Sequence, residues 1–306
     1  MSRIVCLSGG VGGARFVRGL ARALPPGDLA VIVNTGDDFV HWGLDVSPDL
    51  DTVMYTLAGL ISAERGWGLE GETFRAKEAM SRLGGPTWFG LGDADLATHL
   101  VRTEGLRRGE TLSEITDRLR RAMGVDARLV PMSDGKVRTL IETKEHGTLS
   151  FQDWFVRLRT EPPALAVRFD ACPDPAPEVI PLLEKAELVL VGPSNPYVSI
   201  DPILELPGVR EVIARKRFVA VSPIVDGHAI KGPLAAMIRD IAGKEPSPGA
   251  IAAHYGALLA GLVVERGDEA TALAVPVLGT STVMRTADDS ERLAHEVLAF
   301  AAKALR

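Results

Sequence analysis

Asp37, Asp38, Asp45, Asp49 and Asp51 crowd into one stretch of the chain, NTGDDFVHWGLDVSPDLDT at residues 34 to 52. The stretch begins where the apolar run LAVIV ends, which predicts that these acids lie at the carboxyl end of a strand. In an open α/β sheet ligands bind in that crevice, and several hard carboxylate oxygens suit a divalent cation and its charged substrate. Helix capping accounts for part of the same signal, because Ser47 followed by Pro48 also reads as an N-cap and first helical residue. Capping explains Ser47 more readily than it explains five acids.

A second dense stretch is PTWFGLGDADLATHLVRTEG. Asp93 and Asp95 sit at a glycine turn, and helical spacing after Asp95 places His99 and Arg102 on the same side. Acid, imidazole and guanidinium then converge, unless the helix is an ordinary surface one with a capping Asp. Near the start, SGGVGGAR joins the apolar run RIVCLS to a helical pattern. Glycines there let the main chain approach a phosphate, the helix N-terminus offers free N–H groups, and Arg15 adds charge. The turn ends in neither GK[ST] nor a regular GxGxxG, and close packing alone would also use it. Two further turns carry polar groups: Gly-Pro-Ser194-Asn195-Pro, suited to a phosphate or purine edge, and Lys231-Gly-Pro before a helix.

These residues need elements to position them. Apolar runs of strand length alternate with helical patterns from the first residues to the last, which predicts an α/β fold: a Rossmann-like, doubly wound, mainly parallel sheet. Residues 1–306 read as a single domain, interrupted at about 60–160 by a lid-like helical and hairpin insertion. Within it DARLVPMSDGKVRTLIET predicts a hairpin turning at Ser133-Asp134-Gly135, and Thr111 to Glu114 predicts a capping box. TLSFQDWFVRLRT reads as an aromatic-rich strand or a strand–helix junction, and LAVRFD as the strand where the β–α rhythm resumes.

A net charge of −6 without a Lys/Arg run excludes a nucleic-acid scaffold and favours a small-molecule partner. No apolar run is long enough to span a bilayer, and the first one reaches glycines too soon for a signal peptide. Cys6 and Cys172, without zinc spacing, complete the expectation of a reduced, cytoplasmic protein.

Taken together and in this order, SGGVGGAR, NTGDD with SPDLDT, WFGLGDADLATHLVRT, PMSDGKVRTLI, FQDWFVR, GPSNPYVSIDPIL and AVSPIVDGHAIKGP resemble the 2-phospho-L-lactate transferase family of deazaflavin coenzyme F-420 biosynthesis. The resemblance implies attack by the ribityl hydroxyl of the deazaflavin Fo on a guanosine-diphospho-linked three-carbon acid, lactyl or enolpyruvyl. A phosphodiester forms and GMP leaves, with Mg²⁺ assistance. Matched by motif, Asp49, Asp51 and Asp93 would be catalytic, with Asp49 and Asp51 also holding Mg²⁺. Gly9, Gly10, Gly12 and Arg15 would cradle phosphate, while Thr35, Asp37, Asp38, Arg102, Ser194 and Asn195 would complete the substrate and nucleotide contacts. Arg15 stands where archaeal relatives are expected to carry Lys. A homodimer is compatible with the family pattern. Two rivals remain: a non-catalytic regulatory protein of related fold that binds nucleotide-sugars, and a dinucleotide-dependent oxidoreductase, which lacks its ribose-reading acid.

Overall fold

The computed structural model describes residues 3–270 and 273–304. Near the end of the chain the sequence reads as a strand run, TALAVPVLG, and a last helix, SERLAHEVLAFAAKAL; the first two residues of the one and the last of the other lie outside the described residues. Seven parallel strands form the main sheet, in the order Val277–Thr280, Gly261–Glu265, Arg217–Val221, Leu188–Val191, Ile4–Ser8 (β1), Leu29–Val33 (β2) and Arg128–Pro131. Strands covered on both faces need apolar residues at every position, which is why LAVIV and LVLV are continuous runs.

Successive residues feed two separate cores. Val5, Leu7, Ala30 and Ile32 pack with the helices Val179–Lys185, Val209–Ile213 and Pro248–Tyr255. Cys6, Val31 and Val33 pack on the other face with helices Gly10–Ala23 (α1) and Pro48–Ala58 (α2) and with Ala287–Ala304. Each fully buried Leu, Ile or Phe contributes roughly 1.5–3 kcal/mol, so both helical layers are held firmly. The chain runs outward through β1, β2 and Arg128–Pro131, then returns to place Leu188–Val191 on the other side of β1. The switch point therefore lies beyond the carboxyl ends of β1 and Leu188–Val191, where a doubly wound sheet opens a crevice.

The run around residue 133 is not the expected hairpin. Arg128–Pro131 is an edge strand of the main sheet, whereas Thr139–Thr143 belongs to a three-stranded antiparallel sheet with Gly147–Ser150 and Ala166–Phe169. The turn residues are spent on distant ties instead: Ser133 Oγ donates to the Asp174 carbonyl at 2.6 Å, and Asp134 accepts from Ser113 N–H at 2.7 Å. LAVRFD, expected to rejoin the main rhythm, is likewise in the small sheet. Within residues 60–160 the departure from β–α order thus falls into two pieces, around an edge strand and the helix Leu112–Ala122 that packs on the sheet through Ile115 and Leu119. That helix has the predicted capping box, closed in both directions by Thr111 and Glu114. Of the two readings of TLSFQDWFVRLRT, the strand–helix junction is the one found: the strand Gly147–Ser150 leads into a π-type turn at Asp153–Arg157.

Candidate active site

β2 delivers Asn34, Thr35, Asp37 and Asp38 to the crevice, and a short hairpin, Phe39–His41 with Leu44–Val46, turns the chain back into α2. Asp49, in the first turn of α2, points at the glycine turn after β1. Gly10 N–H donates to its Oδ1 at 2.7 Å, and Asn34 Nδ2 donates to its Oδ2 at 2.9 Å. Asn34 itself is locked by the Val198 carbonyl at 3.2 Å and by Gly36 N–H at 2.8 Å. Gly9 lies so close to Asp49 and Ser199 that a Cβ would come within 2.7 Å of Asp49 Oδ2. At Gly12 a Cβ would collide with the Pro193 carbonyl, so part of the glycine signal is close packing of α1 against the Gly192–Ser194 turn.

Three carboxylates share this pocket. Burial, then the charges of Asp49 and Asp38, hold the Asp37 carboxyl well above the usual range. Burial also raises Asp38, against the hydrogen bond it accepts from Ser47 at 2.6 Å, and raises Asp49. Ser47 thus occupies the N-cap position of α2 while its hydroxyl serves Asp38, not the helix. Asp37 Oδ1, Asp38 Oδ1, Thr35 Oγ1, Ser8 Oγ and Thr139 Oγ1 are buried without a hydrogen-bond partner. Clustered acids that raise one another's pKa, with oxygens left unpaired, have the donor chemistry of a hard cation site. Asp45, by contrast, leaves the cluster and pairs with Lys136 at 3.1 Å.

Behind the pocket α2 faces the helix Asp95–Arg107. Arg102, 1% exposed, grips both oxygens of Asp51, one at 3.0 Å. Tyr55, one turn on from Asp51, donates to Asp95 at 2.6 Å, and His99 lies 3.4 Å from Asp95 and 3.6 Å from Asp51. The predicted convergence of Asp95, His99 and Arg102 is therefore present. Asp51, Asp95 and His99 bring ligand atoms within 4.8 Å of one another, yet a guanidinium already neutralises Asp51. Among the described residues no cation forms an ion pair with Asp37, Asp38 or Asp49, although the Arg102 charge is felt at Asp38.

Asp93 is placed differently. It accepts from Arg75 and Ala76 N–H at 3.0 and 2.9 Å and from Thr73, capping the helix Arg75–Arg82. Glu72 reciprocates by accepting from Ala94 and Asp95 N–H at 2.7 and 3.1 Å. Ser194 donates to the Gly9 carbonyl at 2.8 Å, and Asn195 accepts from Tyr197 N–H at 3.0 Å, so both shape the turn beside the glycine loop. Arg15 approaches Lys231 over Gly66. Next to the acids, Phe39, His41, Trp88 and Phe89 make mutual ring contacts, Phe39 to Phe89 at 4.8 Å. Asn34, Ser8 and Tyr55 were missed in the sequence; Asn34 had a positional signal, being the first residue beyond a buried strand.

Fold and site together define a doubly wound α/β protein with a cluster of acids at its switch point. Residues 4–298 match the family described as 2-phospho-L-lactate transferase CofD. The chain belongs to that family and is a transferase. A phosphoenolpyruvate transferase of Thermobifida fusca is 46% identical over 288 residues, covering 89% of each chain. A 2-phospho-L-lactate transferase of Methanospirillum hungatei is 37% identical over 297 residues, 96% of this chain and 99% of that one. A solved UPF0052-family protein from Bacillus halodurans shares the fold alone, with TM-score 0.65 at 16% identity over 97% of this chain and 98% of that chain.

Proposed function

We propose that this transferase moves a phospho-lactyl or phosphoenolpyruvyl group from a guanosine-diphospho-linked three-carbon acid to the ribityl hydroxyl of Fo, releasing GMP, in coenzyme F-420 biosynthesis. The observation that carries the reading is the group of buried Asp37 and Asp49 with half-buried Asp38 at the switch point, Asp37 and Asp38 each keeping an unpaired oxygen, in a chain of this family. In balanced form, the hydroxyl oxygen bonds to the β-side phosphorus, that phosphorus loses its bond to GMP, and the hydroxyl proton passes to a base.

Asp49 and the unpaired oxygens of Asp37 and Asp38 are assigned to Mg²⁺. Bound there, Mg²⁺ would supply charge neutralisation of the diphosphate. Asn34 and the Gly10 amide hold Asp49 in place, and Arg102 grips Asp51 two residues further along α2. The half-buried wall of Phe39, Trp88 and Phe89 offers ring faces to the planar deazaflavin beside the acids. The pairing of Asp93 with helix N–H groups suits a residue that shapes the pocket's rim. The single-domain reading, with the lid-like insertion at about 60–160 over the crevice, belongs to the same proposal.

Purified protein given Mg²⁺, Fo and a guanylylated enolpyruvyl or lactyl donor is expected to yield GMP and a phosphodiester-extended deazaflavin. Fo fluorescence titrated with and without GDP provides the binding readout. Absence of Fo binding together with tight binding of a UDP-sugar would transfer the reading to a regulatory protein.

A further inference from the structure

Arg15 and Lys231 reach the same point from different elements. A Cβ on Gly66 would stand 3.1 Å from Lys231 Nζ and 3.9 Å from Arg15 Nη2, with Val11 of α1 beneath. Gly66 is itself buried under the loop that carries exposed Trp67. Arg15 gives one N–H to the Met284 carbonyl at 2.9 Å, and among the described residues no carboxylate pairs with either cation. The next cation on α1, Arg18, also bonds to neutral groups, the Thr286 carbonyl and Ser290 hydroxyl, both at 3.0 Å.

In a chain with 40 acids and 34 bases, acidic partners are in ample supply. Two cations brought together without one repel each other, and the arrangement has a use once an anion sits between them. The other end of α1 explains why the anion belongs here. Its first amide, Gly10 N–H, is already taken by Asp49, so that donor is not free to receive an anion. About one and a half turns further on, at about 1.5 Å per residue, Arg15 supplies the nearest positive charge on that helix. Burial, then the proximity of Arg15, lowers the Lys231 ammonium below its ordinary range, consistent with a cation awaiting a counter-charge.

Resting on the transferase reading, we infer that Arg15 and Lys231 form a two-cation subsite that grips an oxyanion of the donor substrate across the bare face of Gly66. The oxyanion is either the diphosphate or the carboxylate of the three-carbon acid, which share the chemistry and differ in the experiment.

Lys231→Ala, Lys231→Arg and Arg15→Ala are compared with the parent for GDP affinity with Mg²⁺ by calorimetry and for donor KM in the transfer assay. If the subsite holds the diphosphate, Lys231→Ala weakens GDP about ten- to a hundredfold and Lys231→Arg recovers most of the loss. If it holds the carboxylate, GDP affinity is unchanged, while donor KM rises by a similar factor and kcat changes less. GDP affinity and donor KM both unchanged in the two alanine variants overturn the subsite, even in an active transferase. Should the parent protein neither bind GDP nor turn over, the functional reading falls, and inorganic pyrophosphate and lactate titrated against parent and variants decide the subsite alone. Equal affinity in all of them for pyrophosphate, and likewise for lactate as the carboxylate probe, overturns it.

Discussion

Asp37 is the residue on which the site's electrostatics turn. Its carboxyl, raised by burial and then by the charges of Asp49 and Asp38, gives up its proton at a higher pH in the native state than in the unfolded chain. Between the ordinary carboxylate pKa and that raised value the folded protein binds more protons, so stability falls as pH rises through the interval. Asp37→Asn removes this penalty, and without divalent cation it should melt higher than the parent at neutral pH. The same substitution should abolish the rise in melting temperature on adding Mg²⁺ and cut turnover by more than about a hundredfold. A variant that melts lower than the parent without metal, in a protein whose melting ignores Mg²⁺, would contradict this assignment. Arg102 and Asp51 make the opposite case, because their charges already cancel in the interior. Arg102→Met leaves Asp51 buried and uncompensated, at an expected cost of about 3–5 kcal/mol in chemical denaturation. Adding Asp51→Leu should restore most of that stability, and equal losses in single and double variants would deny the coupling.

At the scale of elements, the helices Arg75–Arg82 and Asp95–Arg107 are stapled by exchanged caps, Asp93 on one and Glu72 on the other. Gly92 permits the exchange, since a Cβ there would meet the Glu72 side chain. Hydrogen bonds from Thr73 and the Ala76 and Arg75 amides hold the Asp93 carboxyl below its usual range. A depressed native pKa contributes stability that is complete above the ordinary carboxylate value and is lost as pH falls through the native one. Melting followed from neutral to below about pH 4 should therefore show a shallower acid-side fall in Asp93→Asn than in the parent. An identical slope would mean that the cap contributes nothing that titrates. This element was only half legible in the sequence. Helical spacing gave Asp95, His99 and Arg102 one face, but it carried no sign that Asp93 faces away toward another helix, because reciprocal capping joins residues about twenty positions apart.

For the whole molecule, the site is assembled from β1, β2, α1, α2 and the Gly192–Ser194 turn, so ligand binding should stabilise the entire cooperative unit. A ligand at a hundredfold its dissociation constant contributes about 2.7 kcal/mol. Mg²⁺ with GDP should accordingly raise the melting temperature more than Mg²⁺ alone, and EDTA should abolish both the shift and turnover. Turnover that survives exhaustive chelation would remove the cation from the chemistry. The described residues contain no helix long and apolar enough to cross a membrane.

The sequence by itself determined the doubly wound plan, the position of the acids at a strand end and the family, because hydrophobic period, turn chemistry and motif order are local and survive without knowledge of contacts. Tertiary structure decided which acids remain unpaired. Asp51 meets Arg102, Asp45 meets Lys136, Asp93 meets a helix N-terminus and Asp49 meets Gly10 and Asn34, while Asp37 and Asp38 each keep a buried oxygen without a hydrogen-bond partner. It also sent the two runs flanking Ser133 to different sheets. Both outcomes depend on long-range pairing, and a carboxylate's charge state and role are set by whatever cation or amide the fold brings to it from far along the chain.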